Sequence, residues 1–488
     1  MQIVVAEKNF KQQLKSGFIY TAFAKYSGIL ISLAVTAVLS RMLPPEDFGV
    51  IAVASVFIVF FGIFSDMGLS AAIVQKRNLS VSDLKSLFSY TLFLGVILSV
   101  FFFFSSWLIA RFYDDSQLII ICQILSVNVL FATWSIVPNG LLLRDKQFKF
   151  IGVRTVSIQI ILAVISIVGA YTGMGIFSLL INPVGSSILI FILSYIKSPV
   201  GFTFHPSFES VRKIASYSSY TFGFSLINYF LRNLDKLLIG KVFGMIPLGY
   251  YEKSYRLMLL PVQNLTQVIT PVLHPVLADY QSDISQQTNK YLKLLKILAL
   301  IGFPISALLY FTAEPLVILI FGSQWMPSVP VFKILSLTVG FQITGSSVGA
   351  FLQAANKTRE MFVIGCLNTL TNIICLFVGV YVIGSIDGVA WMFFLAMCIG
   401  LWNNWYIAQT IEIRAIEMFK PYVPALYPTV LNIMILALLH NFCQFSLIVS
   451  LVINVFVTSV LILVYLRHFH IIDVVAYLKT RLIRQRRL

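Results

Sequence analysis

Charge is scarce in this chain. Only 11% of its 488 residues are Asp, Glu, Lys or Arg, and acids are the scarcer sign, with 19 Asp and Glu against 35 Lys and Arg. Soluble domains carry about 25% charged residues, so an ordinary soluble domain is excluded. Long polar stretches are missing too: none between the apolar runs is long enough to fold alone. Cys122, Cys366, Cys375, Cys398 and Cys443 all sit in apolar runs without metal-ligand or redox spacing, so they read as small packing residues. The histidines are equally scattered, at 205, 274, 440, 468 and 470. No HExxH, GxSxG or P-loop pattern occurs. The sequence therefore offers no catalytic constellation, no metal site and no cofactor site.

What the chain has is apolar length. Hydrophobic residues make up 58% of it, and the mean hydropathy is +0.90. Runs of about 20 apolar residues recur, each long enough to cross a hydrocarbon core of about 30 Å. The pattern predicts an all-α integral membrane protein of about fourteen spanning helices. They fall near 17–40, 48–75, 84–110, 117–141, 150–171, 174–196, 214–240, 247–278, 290–312, 329–353, 360–383, 387–409, 422–441 and 444–467. The first apolar run is too long for a signal-peptide core, so it reads as a retained helix. An even count puts both termini on one side. On that side lie 26 of the 35 Lys and Arg, including Lys8, Lys11 and Lys15 before the first helix and a basic tail after the last. The alternation holds across every loop and predicts cytoplasmic termini. The net charge of +16 is thus spread over short loops rather than gathered in a nucleic-acid-binding patch.

A repeat sits at an offset of 200 residues. SRMLPPEDFGVIA (40–52) aligns without gaps on GKVFGMIPLGYYE (240–252), placing Arg41 on Lys241 and Gly49 on Gly249. It predicts a cytoplasmic segment (1–16), a lobe of six helices (17–196), a linker (197–213), a second lobe of six (214–409), two further helices (422–467) and a basic tail (468–488). Repeated lobes are a common frame for alternating access around a central site.

The densest charge at membrane depth lies in the hairpin 231–256, where Arg232, Lys236, Lys241, Lys253 and Arg256 face only Asp235 and Glu252. Buried ionisable groups cost several kcal/mol unless they meet water, a partner or a ligand. Arg232, Lys236, Lys253 and Arg256 are the candidate lining of a cationic cavity for an anionic head group. The competing reading has the same side chains snorkel to the headgroups and pair internally, and Lys241 fits that interfacial role. Lys25 and Asp66 fall at similar depth on neighbouring helices. With Asp235 and Glu252 they are candidates for ion pairing or for coupling to H⁺ or Na⁺, and a purely structural Lys25–Asp66 pair fits equally. Pro261, Pro271 and Pro275 in the eighth helix suit either a moving gate or a static kink. Tyr220, Tyr229, Tyr250, Tyr251 and Tyr255 suit a membrane interface better than a sugar-stacking surface.

The segments TAVLSRMLPPEDFGVIAVA, FSDMGLSAAIVQ and LDKLLIGKVFGMIPLGYYEKSYRL resemble those of the bacterial Wzx-type polysaccharide exporters. These are lipid-linked oligosaccharide flippases of the multidrug/oligosaccharidyl-lipid/polysaccharide (MOP) superfamily. LIFGSQWMPSVPVFKIL (319–335), followed by Leu352, Gln353, Ala354 and Lys357, resembles the colanic-acid exporter branch. The resemblance covers roughly residues 10–410. It implies a V-shaped bundle of fourteen helices, with the first, second, seventh and eighth bordering a portal. It also implies an undecaprenyl-diphosphate-linked oligosaccharide as substrate, flipped across the bacterial cytoplasmic (inner) membrane for exopolysaccharide, capsule or O-antigen biosynthesis. Membrane lipids and other polysaccharide-assembly proteins are the expected partners. The alternatives within the superfamily are a lipid II flippase and an ion-coupled drug exporter. A membrane polymerase or ligase fits less well, because the outer loops near 44–47, 113–116, 172–175 and 440–444 are too short to hold paired catalytic residues.

Overall fold

The computed structural model describes residues 2–76, 79–205, 232–280, 283–442 and 446–469, with single positions at 207, 222, 226 and 229. Among them no strand occurs. Among the described residues eleven helices are long and apolar enough to cross a membrane, or twelve if the bent pair Ser328–Ser336 and Val339–Ala354 is one span. The other two of the expected fourteen are the spans of the hairpin, which this count does not include. Residues 214–240 lie largely outside the described residues. Met245–Ala278 is a 34-residue helix whose ionisable and amide side chains dilute its apolar character. The basic tail after position 469 also lies outside the described residues.

The chain divides into two compact units, residues 1–249 and 250–488. The first contains α1 (Gln2–Met42), α2 (Pro45–Asp66), α3 (Leu69–Gln75), α4 (Val81–Tyr113), α5 (Gln117–Arg144), α6 (Phe148–Tyr171), α7 (Ser178–Lys197) and α8 (232–243). Helix α1 runs unbroken from Gln2, so the segment before the first span is itself helical. α5 is central and packs on α2, α3, α4 and α7, while α1 packs on α6. Between α2 and α3 the backbone turns through Met67 (φ 41°) and Gly68 (φ 77°), a left-handed pair. The Asp66 carboxylate closes this break by accepting from the amides of Gly68 and Ser70, each at 3.2 Å. α4 opens with a capping box in which the Ser80 hydroxyl and the Asp83 carboxylate bond each other's backbone amides.

The second unit holds most of α9 (Met245–Ala278), then α10 (Ile284–Phe311), α11 (Ala313–Phe321), α12 (Ser328–Ser336), α13 (Val339–Gly345), α14 (Val348–Ala354), α15 (Thr358–Phe377), α16 (Ile386–Gly400), α17 (Trp402–Thr410), α18 (Ala415–Phe419), α19 (Val423–Phe442) and α20 (Leu447–His468). α10 is its hub, touching α12, α13, α19 and α20. Tyr291 on α10 stacks on Phe351 at 4.0 Å and is fully buried. Lipid gives two apolar helices little reason to associate, so polar links carry weight here. The amide of Asn432 on α19 donates to the Pro304 carbonyl at 3.1 Å, and the Thr458 hydroxyl on α20 donates to Asn432 Oδ1 at 3.0 Å. That seam fastens the last two helices to α10.

Apolar side chains line the outside of both units. Leu30, Phe101, Leu108 and Ile161 in the first, and Leu370, Val382 and Phe456 in the second, are all more than half exposed. In water such a surface would aggregate; against acyl chains it is the matching solvent.

Candidate functional site

The hairpin is anchored at its turn. Ile239 and Gly240 at the end of α8 are buried, and a Cβ on Gly240 would meet Val53 at 3.1 Å and Tyr113 at 3.3 Å. The Tyr113 hydroxyl donates to the Leu237 carbonyl at 3.3 Å. Lys241 pairs with Asp114 at 2.8 Å and lies over the Phe112 ring at 5.3 Å. Asp114 occupies the left-handed region that ends α4. The exposed position of this pair fits the interfacial role expected of Lys241.

Beside it the aligned glycines touch reciprocally. A Cβ on Gly49 would sit 1.9 Å from the Met245 carbonyl oxygen, and one on Gly249 would sit 2.2 Å from that of Pro45. Met245 is the repeat equivalent of Pro45, as Gly249 is of Gly49. A contact in which each residue meets the partner's equivalent is what a local two-fold axis generates. Only glycine permits this approach, because any side chain would strike backbone that cannot swing away.

The ionisable residues are distributed as follows. Arg232 is exposed on α8, one helical turn from half-buried Lys236. Asp235 Oδ1 accepts from the Lys236 backbone amide at 2.8 Å. On α9, Arg256 is exposed and Glu252 half-buried. Arg232, Asp235 and Lys236 belong to the first unit, and Glu252, Lys253 and Arg256 to the second. Lys253 departs from the expectation of a cavity-lining cation. Its side chain is only 2% exposed, with Nζ 4.9 Å from the Phe321 ring centre and 5.1 Å from Trp325. Tyr250 meets Trp325 edge-on at 5.9 Å, and the Ser254 hydroxyl donates to the Ser328 carbonyl at 2.9 Å. Aromatic faces carry partial negative charge and solvate a cation where water cannot reach. Lys253 is therefore a buried tie between α9 and the Phe321–Trp325 turn. Lys25 and Asp66 are not brought together. Lys25 lies 5.5 Å from the Tyr26 ring centre, and the Asp66 carboxylate caps α3.

One buried cation was not expected from the sequence. Arg154 on α6 is 6% exposed and donates to Ser194 Oγ on α7 and to Asn139 Oδ1 on α5 at 3.1 Å. In the sequence it merges with the loop cations Arg144, Lys146 and Lys149. Its helical spacing of five from Lys149, which turns it to another face, was the available signal.

These features define a polytopic α-helical membrane protein with ionisable residues confined to a few places. Its fold is shared with the lipid II flippase MurJ in an inward closed conformation, at a TM-score of 0.72 and 16% identity, covering 93% of this chain and 99% of that one. The chain belongs to the polysaccharide biosynthesis protein family, whose model matches residues 38–330. It is 25% identical to the teichuronic acid biosynthesis protein TuaB of Bacillus subtilis (strain 168), over 84% of this chain and 85% of TuaB. It is also 25% identical to the lipopolysaccharide biosynthesis protein WzxC of Escherichia coli (strain K12), over 82% of this chain and 81% of WzxC.

Proposed function

We propose that this chain is a flippase that carries an undecaprenyl-diphosphate-linked oligosaccharide repeat unit across the bacterial cytoplasmic membrane, by alternating access and without covalent catalysis. Family membership joined to a lipid-flippase fold carries the reading: the chain works in polysaccharide biosynthesis and is built as a membrane bundle with no motif for bond making. The candidate diphosphate ligands are Arg232 and Lys236 in the first unit and Arg256 in the second. A diphosphate at membrane depth needs cations, and Arg232 and Arg256 are the exposed guanidinium groups of the hairpin. Lys253 serves them indirectly, by fixing α9. Both termini are cytoplasmic, on the strength of the Lys and Arg asymmetry. If H⁺ or Na⁺ drives the cycle, Asp235 and Glu252 are better suited than Asp66, whose carboxylate caps α3. Membrane lipids surround the chain, and other polysaccharide-assembly proteins receive its product.

Charge-assisted hydrogen bonds contribute about 1.5–3 kcal/mol each, so Arg232→Ala with Arg256→Ala, which removes two such donors, should slow flipping roughly a hundredfold or more. The measurement is transport of the lipid-linked repeat unit in proteoliposomes, with membrane insertion checked separately. A correctly inserted double variant that flips at the wild-type rate removes these residues from the site.

A further inference from the structure

The second unit contains a cavity of about 180 Å³ with an unusual lining for a membrane helix bundle. Asn368 and Asn372 reach it from α15, Asn403 and Asn404 from α17, Thr344 from α13, and Tyr422 closes one side. Asn368 lies ten residues into the span Thr358–Ile383, about 15 Å along the helix from its start, well inside the hydrocarbon. α15 is sharply two-faced here. Ile364, Asn368 and Asn372 turn inward, while Leu367, Leu370 and Ile374 are about half exposed toward lipid.

Packing alone does not explain four amides. Asn403 Nδ2 donates to Asn368 Oδ1 at 2.6 Å, Asn372 Nδ2 to the Asn368 carbonyl at 2.7 Å, and Asn404 Nδ2 to the Tyr422 hydroxyl at 3.4 Å. Among the described residues these side chains make no other hydrogen bond. Each amide has two donor hydrogens and two acceptor lone pairs, so most of that capacity points into the cavity whichever way the amides are turned. Polar groups at this depth must meet water or a ligand, which marks the lining as a place for a hydrogen-bonding occupant.

The chemistry of the occupant follows from charge, size and shape. No Asp, Glu, Lys, Arg or His lines the cavity, so it has nothing to neutralise a phosphate or a metal ion. Neutral groups that both donate and accept match a neutral polyol. The volume is below the roughly 300–1,000 Å³ of sites for drug-sized ligands, so it admits one ring rather than a whole oligosaccharide. Phe341 and Tyr422 supply the apolar surface that covers a ring face.

We propose that this cavity binds a single neutral sugar residue of the transported glycan and so contributes to selection among repeat units. The proposal rests on the flippase reading, with the hairpin cations taking the diphosphate and the second unit reading one sugar.

The test uses the purified full-length chain in nanodiscs, with methyl glycosides of glucose, galactose and N-acetylglucosamine as probes. A ligand that binds only the folded state raises the unfolding temperature saturably. At least one glycoside is expected to do so. Asn403→Leu removes the amide clamp. Gly400→Leu keeps all four amides and fills the space beside them, because a Cβ at Gly400 would already be in van der Waals contact with the clamp, 3.5 Å from Asn368 Oδ1 and 3.9 Å from Asn403 Nδ2. Both should weaken glycoside binding about tenfold or more, the loss expected when a buried polar clamp is removed. No saturable glycoside effect, an effect of Na⁺ alone, or unchanged binding by both variants overturns the proposal. Proteoliposome flipping separates this from failure of the parent reading. If wild type flips repeat-unit lipids and Gly400→Leu flips the same set equally well, the sugar pocket is wrong and the flippase stands. If wild type flips none, the flippase reading falls and takes the pocket with it.

Discussion

Gly49→Leu should abolish polymer export, and Gly249→Leu should do the same. A Cβ at Gly49 would lie 1.9 Å from a carbonyl oxygen and 2.6 Å from the carbonyl carbon of Met245. Those are backbone atoms in the first turn of α9, so no rotamer change relieves the clash. The helices must part, and overpacking of this kind costs about 1–3 kcal/mol or more. The crossing sits beside the Lys241–Asp114 pair and carries the chain from α8 into α9, which bears Lys253 and Arg256. Separating it therefore displaces the proposed head-group site. Gly62→Leu is the matched control: nothing lies within 4 Å of a Cβ there, so export should be unchanged. Surface polymer and membrane protein level, measured together for the three variants, check this. Full export by Gly49→Leu would mean that the crossing is not needed.

Lys253 should separate structure from substrate binding. Lys253→Glu places a buried anion against the electron-rich faces of Phe321 and Trp325, and stranded buried charges cost about 3–5 kcal/mol. The expected result is loss of folded protein from the membrane. Lys253→Met keeps the unbranched length, fills the cage and makes favourable sulfur–aromatic contacts. It should accumulate better than Lys253→Glu and export in proportion to its folded level, in contrast to the Arg232→Ala, Arg256→Ala pair. A Lys253→Met chain that folds fully but exports nothing would return Lys253 to the substrate site.

Those contrasts show what could be read in the residues and what could not. Periodicity and apolar length are local properties, so most spans outside the hairpin fall near where the sequence places them, whereas 48–75 and 329–353 break into shorter helices. The repeat was legible because Gly49 and Gly249 obey one geometric demand, visible as identity at an offset of 200 residues. The family-like motifs prove to be fixtures. FSDMGLSAAIVQ forms the capped break between α2 and α3. LIFGSQW supplies Phe321 and Trp325 to the Lys253 cage. Side-chain environment was not legible. Lys253 and Arg256 are three residues apart and chemically alike, yet one is enclosed and the other exposed, because α11 and the turn after it cover only one face of α9. Asp66 was assigned by depth, but the break two residues later gave its carboxylate nearer donors than Lys25. The amide cavity joins positions 344, 368, 403 and 422, a grouping that no single helix announces.

The most direct test of the central claim is mass spectrometry of lipid-linked oligosaccharides from cells in which the chromosomal gene is deleted, read beside surface polymer. The account expects polymer to disappear and an undecaprenyl-diphosphate repeat unit to accumulate, with both reversed by the wild-type chain. Unchanged polymer and an unchanged lipid profile would contradict it.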